Sequence, residues 1–271
     1  MYTSLVPLSR TRHANKRLIV SELYPEAIGM PVVPLVGAEL ARASICMPIG
    51  FAPEGAAEDS TPRFTPVAIL SLQPGKNLFV TPSGEWLGDY TPSLFRGYPF
   101  ALIRVDDDNP DDLTVAVDEA SSRLTDRPEG IALFDESGEM AGHLRNMVEF
   151  LRQVEASAKT TTMACACLVA HDLIVPWSLS VQTSEGEPQS VGGLYRVDEA
   201  RLNALPDEAF LDLRRTGALV VAQLQLLSMQ RLSVLPRLVQ LQGQLAAAEQ
   251  NRPKLGDMLD LGQSDEITFS F

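Results

Sequence analysis

Apolar positions along this chain follow one period up to about residue 139 and another after it. In the first half they fall in short runs or alternate. Val67-Ala-Ile-Leu-Ser-Leu72 is brief, apolar and followed by Pro74-Gly75, which predicts a buried strand. Leu78-Phe-Val80 and Glu85-Trp-Leu87 flank Thr81-Pro-Ser-Gly84, the spacing of a hairpin in which Gly84 supplies a positive φ. Tyr90-Thr-Pro92 turns the chain into a helical turn near Ser93–Arg96. The strand Tyr98–Val105 follows, with Pro99 at its start, where a missing N–H costs least. Leu113–Val117 alternates and is expected to pair with Ala101–Val105 across the acidic loop Asp106–Asp112. Ile131–Phe134 reads as a strand closed by the turn Asp135–Gly138, and Met1–Leu8 as an extended segment that adds to the sheet. Only Pro31–Met47 breaks the pattern, fitting a short helix after Pro34 that Pro48 stops. Phe51–Arg63, rich in Ala, Gly, Pro and acid, reads as a surface loop.

From Met140 the period becomes helical. Met140, Leu144, Met147, Leu151, Val154 and Ala158 form one apolar stripe, and a second helical segment is expected from about Thr162 to Ile174. Leu179–Val181 and Val191–Tyr195 predict a hairpin around Ser184–Glu187. Asp198 can cap a short helix to Ala204, Pro206 suits the first turn of the next, and Gly217 is a break. Leu224, Leu227, Arg231, Val234, Leu238, Leu241 and Leu245 keep a 3-4-3-4 spacing, a coiled-coil-like seam in which Pro236 must kink or split the helix. Two readings stay open for this arm: it packs back on its own domain, or it binds a partner or a second copy through Leu224, Leu227, Val234, Leu238, Leu241 and Leu245.

Together these elements predict an α+β fold. A mixed or antiparallel sheet occupies the N-terminal half, followed by helices, a later β-hairpin and a C-terminal helical arm. The expected organisation is a domain over 1–217, the arm over 218–250 and an acidic, flexible tail over 251–271, whose last residues ITFSF could add a strand or dock.

Composition narrows the function classes. The chain has 271 residues, 45% apolar, enough for a large core without staples. A net charge of −13 argues against general affinity for nucleic acid or anionic lipid. The acid is concentrated between Arg104 and Glu139, while Met1–Arg17 is basic, an asymmetry that permits docking between two surfaces or two chains. Three cysteines form no disulfide framework and fit a reducing compartment. No secretory h-region follows the basic N-terminus, and the most apolar stretch, Ala218–Met229, is interrupted by Gln223, Gln225 and Ser228. The expected location is the cytoplasm, with no transmembrane segment.

Candidate chemistry is sparse. Cys165 and Cys167 point apart on a helix, so only Cys167 and His171 share a face and no metal site is expected. The loop Asp106–Asp112 lacks the Gly and terminal Glu of a calcium loop. Asp118 and Glu119 end a strand but face opposite ways, so they are expected to pair with Arg123, Arg96 or Arg104 rather than share a proton. No nucleophile elbow, phosphate loop or dinucleotide fingerprint is present. Trp86, Tyr90, Arg96 and Tyr98 sit at strand ends and turns, where scaffolds present binding groups and where aromatic residues also close core edges. With Asp118, Glu119, Tyr195 and Arg196 they are the ligand-binding candidates. No catalytic residue and no cofactor is assigned.

A series of local motifs carries a resemblance. MYTSLVPL at the N-terminus, VVPLVGAELARA at 32–43, VAILSLQPGKNLFV, RGYPFAL at 96–102, VDEAS at 117–121, LFDESG at 133–138, EFL at 149–151, PWSL at 176–179 and GLYRVDEARLNALPDEAF at 193–210 together resemble the SapC-like family of bacterial proteins. The resemblance runs over about 1–230. It implies association with a surface-layer, secretion or cell-envelope system, and so a non-catalytic binding or assembly role with another protein, with itself or with a small ligand. Export by a signal-independent route would then be needed for a role outside the cell. The family's setting beside halogenase-like and cupin-like proteins implies an alternative, a small-molecule or peptide-modifying enzyme or its accessory subunit. A third reading is a cytoplasmic regulator that binds a peptide along a sheet edge.

Overall fold

The computed structural model describes residues 1–55, 62–105, 112–182 and 188–250. The expectations for Asp106–Asp111, for the turn Ser184–Glu187 and for the tail 251–271 lie outside these residues. In chain order the elements are β1 (Leu5–Pro7), α1 (Arg10–His13), β2 (Arg17–Leu18), β3 (Val32–Pro34), α2 (Gly37–Cys46), β4 (Ile49–Glu54), β5 (Arg63–Ile69), α3 (Ser93–Gly97), β6 (Phe100–Arg104) and β7 (Leu113–Asp118). Then come β8 (Leu124–Thr125), β9 (Ile131–Ala132), α4 (Gly142–Ala170), β10 (Ile174–Pro176), β11 (Leu179–Gln182), β12 (Pro188–Val191), β13 (Tyr195–Val197), α5 (Glu199–Asn203), α6 (Asp207–Thr216), α7 (Ala218–Ser228) and α8 (Val234–Gln250). The fold is α+β, and every strand pairing among the described residues is antiparallel.

Two hydrophobic cores share one helix. The larger lies on a five-stranded sheet of order β10-β13-β4-β5-β3. Leu40 and Ala43 of α2, Leu168 of α4, Leu213 of α6 and Ala222 of α7 bury themselves there with Phe51, Ile69 and Phe79. The smaller lies on β1-β7-β6, where Phe100, Val115 and Val117 meet Leu133, Phe134 and, from the first turns of α4, Leu144 and Val148. The predicted pairing of β6 with β7 is present, with Ala101 opposite Ala116. So is the added N-terminal strand, with Val6 opposite Val117.

Three expectations need correction. Phe51–Arg63 is not wholly loop: β4 runs to Glu54 and pairs with β5 along its length, because Ile49, Gly50 and Phe51 face the core despite the prolines around them. The two helical segments after Met140 are one helix of 29 residues. Thr160 and Thr162 turn their hydroxyls back onto the Ser157 (2.9 Å) and Ala158 (3.1 Å) carbonyls, which a helix tolerates, and burial of Thr161, Ala164, Cys165 and Leu168 continues it. Residues 78–87 form a tight turn held by the Val80–Trp86 bridge and the Leu87 N–H to Phe79 carbonyl bond (2.8 Å), rather than by two full strands. The expected split of the C-terminal helix is present, as a 3-10 turn, Met229–Ser233, ahead of Pro236. Pro236 sits in the first turn of α8, where its missing N–H has no partner to lose.

Helix α2 shows how α4 organises its neighbours. Its N-cap is Val36, which has no polar side chain. The Gly37 and Ala38 N–H groups donate instead to Thr161 Oγ1 (2.7 Å) and Ser157 Oγ (3.0 Å) of α4, while Glu39 reaches back to the Val36 N–H (3.2 Å).

Candidate functional site

The candidates Trp86, Tyr90, Arg96 and Tyr98 do gather around α3, but each has a different task. Trp86 stacks on Phe79 (5.7 Å between centroids) and leans on Phe95 (5.6 Å), and its Nε1–H donates to the Tyr90 carbonyl (2.9 Å). It closes the core edge. Tyr90 and Arg96 converge on a residue given no role by sequence reasoning, Glu39. This carboxylate is 3% exposed and accepts the Tyr90 hydroxyl (2.7 Å), the Ser93 N–H (2.6 Å) and the Ser93 hydroxyl (2.7 Å). Burial, with the Glu39 carboxylate beside it, pushes the Tyr90 phenol above its ordinary range. Arg96 lies 3.8 Å from Glu39, donates to the Thr91 carbonyl (2.9 Å) and covers the Phe150 ring at 4.8 Å. The one sequence signal for Glu39 was its place at the third position of a helix whose first residue could offer no cap.

Tyr98, at the end of α3, belongs to a second group with Arg123. The Arg123 guanidinium is buried between the Tyr24 and Tyr98 rings (5.1 and 5.5 Å). It donates to the Leu23 carbonyl (2.6 Å), to Glu26 (2.5 Å) and to the Tyr98 carbonyl (3.4 Å). Burial raises the Glu26 carboxyl even so. Beside this group lies a cavity of about 270 Å³, whose wall includes Arg96, Tyr98, Arg123 and His143. Burial holds the His143 imidazole below its ordinary range.

The expected pairing of Asp118 and Glu119 with Arg123, Arg96 or Arg104 is replaced by other partners. Asp118, fully buried, accepts the Thr3 N–H (3.0 Å), the Ser4 N–H (2.8 Å) and the Ala120 N–H (3.2 Å), with the Tyr98 hydroxyl at 3.3 Å. Burial pushes its carboxyl up, and these donors together outweigh burial, so the group ends below its ordinary range. Glu119 points outward, as alternation requires, and forms a bidentate pair with Arg12 and a contact to His13 Nε2 (3.1 Å). The Ser9 N–H donates to His13 Nδ1 (2.9 Å), which leaves the Nε2 proton for Glu119. Arg10 with Glu139 and Lys16 with Asp126 complete a docking of the basic N-terminus onto the acidic segment within one chain.

Tyr195 and Arg196 lie apart, on the larger sheet. The Tyr195 ring packs on Phe64 at 4.7 Å and Arg196 donates to the Val197 carbonyl (3.0 Å). Cys167 and His171 do share a helix face, and Asp212 joins them with donor atoms within 4.8 Å of one another. Donors around one tetrahedral zinc sit roughly 3.5 Å apart, so the trio would have to close up to hold an ion.

The seam residues divide. Leu238 is buried in the chain's own core, Leu224 and Val234 pack against it, and Leu227, Leu241 and Leu245 are 56%, 37% and 36% exposed. Gln242 Nε2 ties α8 down by donating to the Val80 (2.7 Å) and Leu78 (3.2 Å) carbonyls. Residues Ala218–Ala248 are long and apolar enough to cross a membrane by length and composition, with a mean hydropathy of 1.4 in an 18-residue window of which a third is buried in the fold.

The SapC family model matches residues 8–235, from just after β1 to the start of α8. No curated protein and no solved structure matches. With 8–235 matched, the chain belongs to the SapC family.

Proposed function

We propose that this chain is a non-catalytic binding or assembly protein of a bacterial surface-layer, secretion or cell-envelope system, and that it associates with a second copy of itself through its C-terminal helices. One observation carries the reading. The apolar stripe that is buried at Leu235 and Leu238 continues into exposed Leu241 and Leu245, with Leu227 exposed on the preceding helix. A monomer gains nothing from leaving such a stripe in water. The stretch 218–248 carries only two charged residues, Arg231 and Arg237, so its apolar face meets the same face of a second copy with little charge to desolvate. The three cysteines are unpaired, which favours a cytoplasmic site of action.

The alternative, a modifying enzyme or its accessory subunit, needed Asp118 or Glu119 free to act as acid or base. Both are engaged, Asp118 by backbone amides and Glu119 by Arg12.

Substitution is the right test, because Ala218, Ala222 and Leu238 are core residues and truncation before them would remove part of the fold. Light-scattering mass across a concentration series is expected to show an oligomer for the full chain. The triple variant Leu227→Glu/Leu241→Glu/Leu245→Glu should give a folded monomer. A wild-type monomer at all concentrations, or a variant that still associates, would overturn the reading.

A further inference from the structure

Two buried nitrogens have no hydrogen-bond partner among the described residues, Arg123 Nε and His143 Nε2, and both belong to residues that line the same cavity of about 270 Å³. Such atoms are rare because each costs its desolvation without return. Arg123 is 9% exposed, and its two terminal nitrogens are taken by Tyr98, Leu23 and Glu26. These bonds use three of its five N–H donors, and Nε is the buried nitrogen left with no partner at all. His143, one turn before Met147 on α4, faces the cavity from the opposite element, and Arg96 contributes a third nitrogen-bearing side chain from α3.

Apart from Ser21 and Tyr98 the rest of the wall is apolar: Leu18, Phe100, Met147 and the Tyr24 ring, with the exposed Ile19 and Val20. We propose that this cavity is a binding site for a small monocarboxylate with an apolar or aromatic body, its carboxylate held by Arg123 Nε and His143 Nε2 and its body among Leu18, Phe100 and Met147. The inference is independent of the C-terminal helices.

Charge and size narrow the ligand. Glu26 already balances Arg123 and Glu39 lies beside Arg96, so the site offers directed donors with little net charge. That arrangement suits one carboxylate better than a phosphate dianion, whose second charge has no cation left to balance it. The volume is at the small end of ligand sites. Burial of His143 favours the neutral imidazole, which can donate from Nε2 to a bound carboxylate.

The test uses the full chain, with benzoate and phenylacetate as probes, benzamide and phenylacetamide as their uncharged counterparts, and inorganic phosphate. Calorimetric titration is expected to show binding of the two acids, with the amides weaker by about tenfold or more, the scale of one lost charge-assisted hydrogen bond. Phosphate should not compete. In nitrogen-15 NMR spectra the Arg123 Nε–H resonance should move on addition of the acids. Met147→Trp, which fills the cavity, should abolish binding, and His143→Phe, which breaks no hydrogen bond of the fold, should weaken it by about tenfold. Thermal melts establish that both variants are folded; if Met147→Trp is not, His143→Phe decides. Failure of the acids to bind, equal binding of acids and amides, or binding unchanged in His143→Phe would overturn the proposal.

Discussion

Asp118 is a buried carboxylate whose charge is held by backbone amides rather than by a cation. Its carboxyl is depressed below the ordinary value of 3.8. A depressed group contributes stability that is fully present above its unfolded value and is lost as the pH falls through the folded value. Urea midpoints measured from neutral pH downward are therefore expected to fall for the wild type below pH 3.8. Asp118→Asn removes the charge and turns an NH2 group toward the donors of one carboxylate oxygen, either Thr3 or the Ser4 and Ala120 pair. It should cost about 2–4 kcal/mol at neutral pH and flatten the acid limb. Parallel acid limbs in the two proteins would show that Asp118 is not the group responsible. The strand end and the opposite facing of Asp118 and Glu119 were legible in the sequence. The partners were not, because Thr3 and Ser4 are 115 and 114 positions away and an amide N–H carries no side-chain signature. Glu39 was hidden for a related reason: its donors, Tyr90 and Ser93, lie 51 and 54 positions away and come together only once α3 is formed.

Among the elements, α7 shows how one residue type can be read rightly for one purpose and leave its main task unseen. Gln225 and Ser228 interrupt the apolar run in the sequence. In the fold they supply the hydrogen bonds of a sheet that has parted. Strands β13 and β4 pair only at Tyr195 and Phe51. Next to this point Gln225 accepts the Val197 N–H (2.9 Å) and donates to the Ile49 carbonyl (3.1 Å), while Ser228 Oγ accepts the Ile49 N–H (3.0 Å). Both side chains are almost fully buried. Gln225→Leu keeps the volume but strands two backbone groups, and should cost about 2–4 kcal/mol in urea denaturation. Gln223→Leu, at an exposed position two residues earlier, should stay within about 0.5 kcal/mol. Equal effects would mean that Gln225 merely fills space. The heptad spacing itself was legible, but a seam of Leu and Val looks the same whether it meets its own core or another chain. Leu238 meets the first, while Leu241 and Leu245 remain exposed.

For the whole molecule, α4 sets the unity of the fold. Its 29 residues extend over roughly 43 Å, with Leu144 in the smaller core at one end and Leu168 in the larger core at the other. The ion pairs between the N-terminus and the acidic segment lie around the smaller core, but exposed pairs such as Arg10–Glu139 contribute little. Cohesion between the two cores must therefore come from the helix and the side chains it buries. Both tryptophans report on the larger core, since Trp177 is buried in it and Trp86 packs against it. Leu144→Ala removes a fully buried side chain from the smaller core and should cost about 2–5 kcal/mol, as should Leu168→Ala in the larger. If α4 makes one cooperative unit, Leu144→Ala will shift the tryptophan fluorescence transition as far as the far-UV circular dichroism transition, although no tryptophan lies in the core it damages. Were the cores independent, Leu144→Ala would leave the fluorescence midpoint in place while the dichroism split into two steps, and only Leu168→Ala would move the fluorescence. The sequence shows two helical segments where there is one helix, so a reader of the sequence would expect the second outcome. The unbroken run of α4 through Thr160–Thr162, with Thr161 buried, is the reason to expect the first.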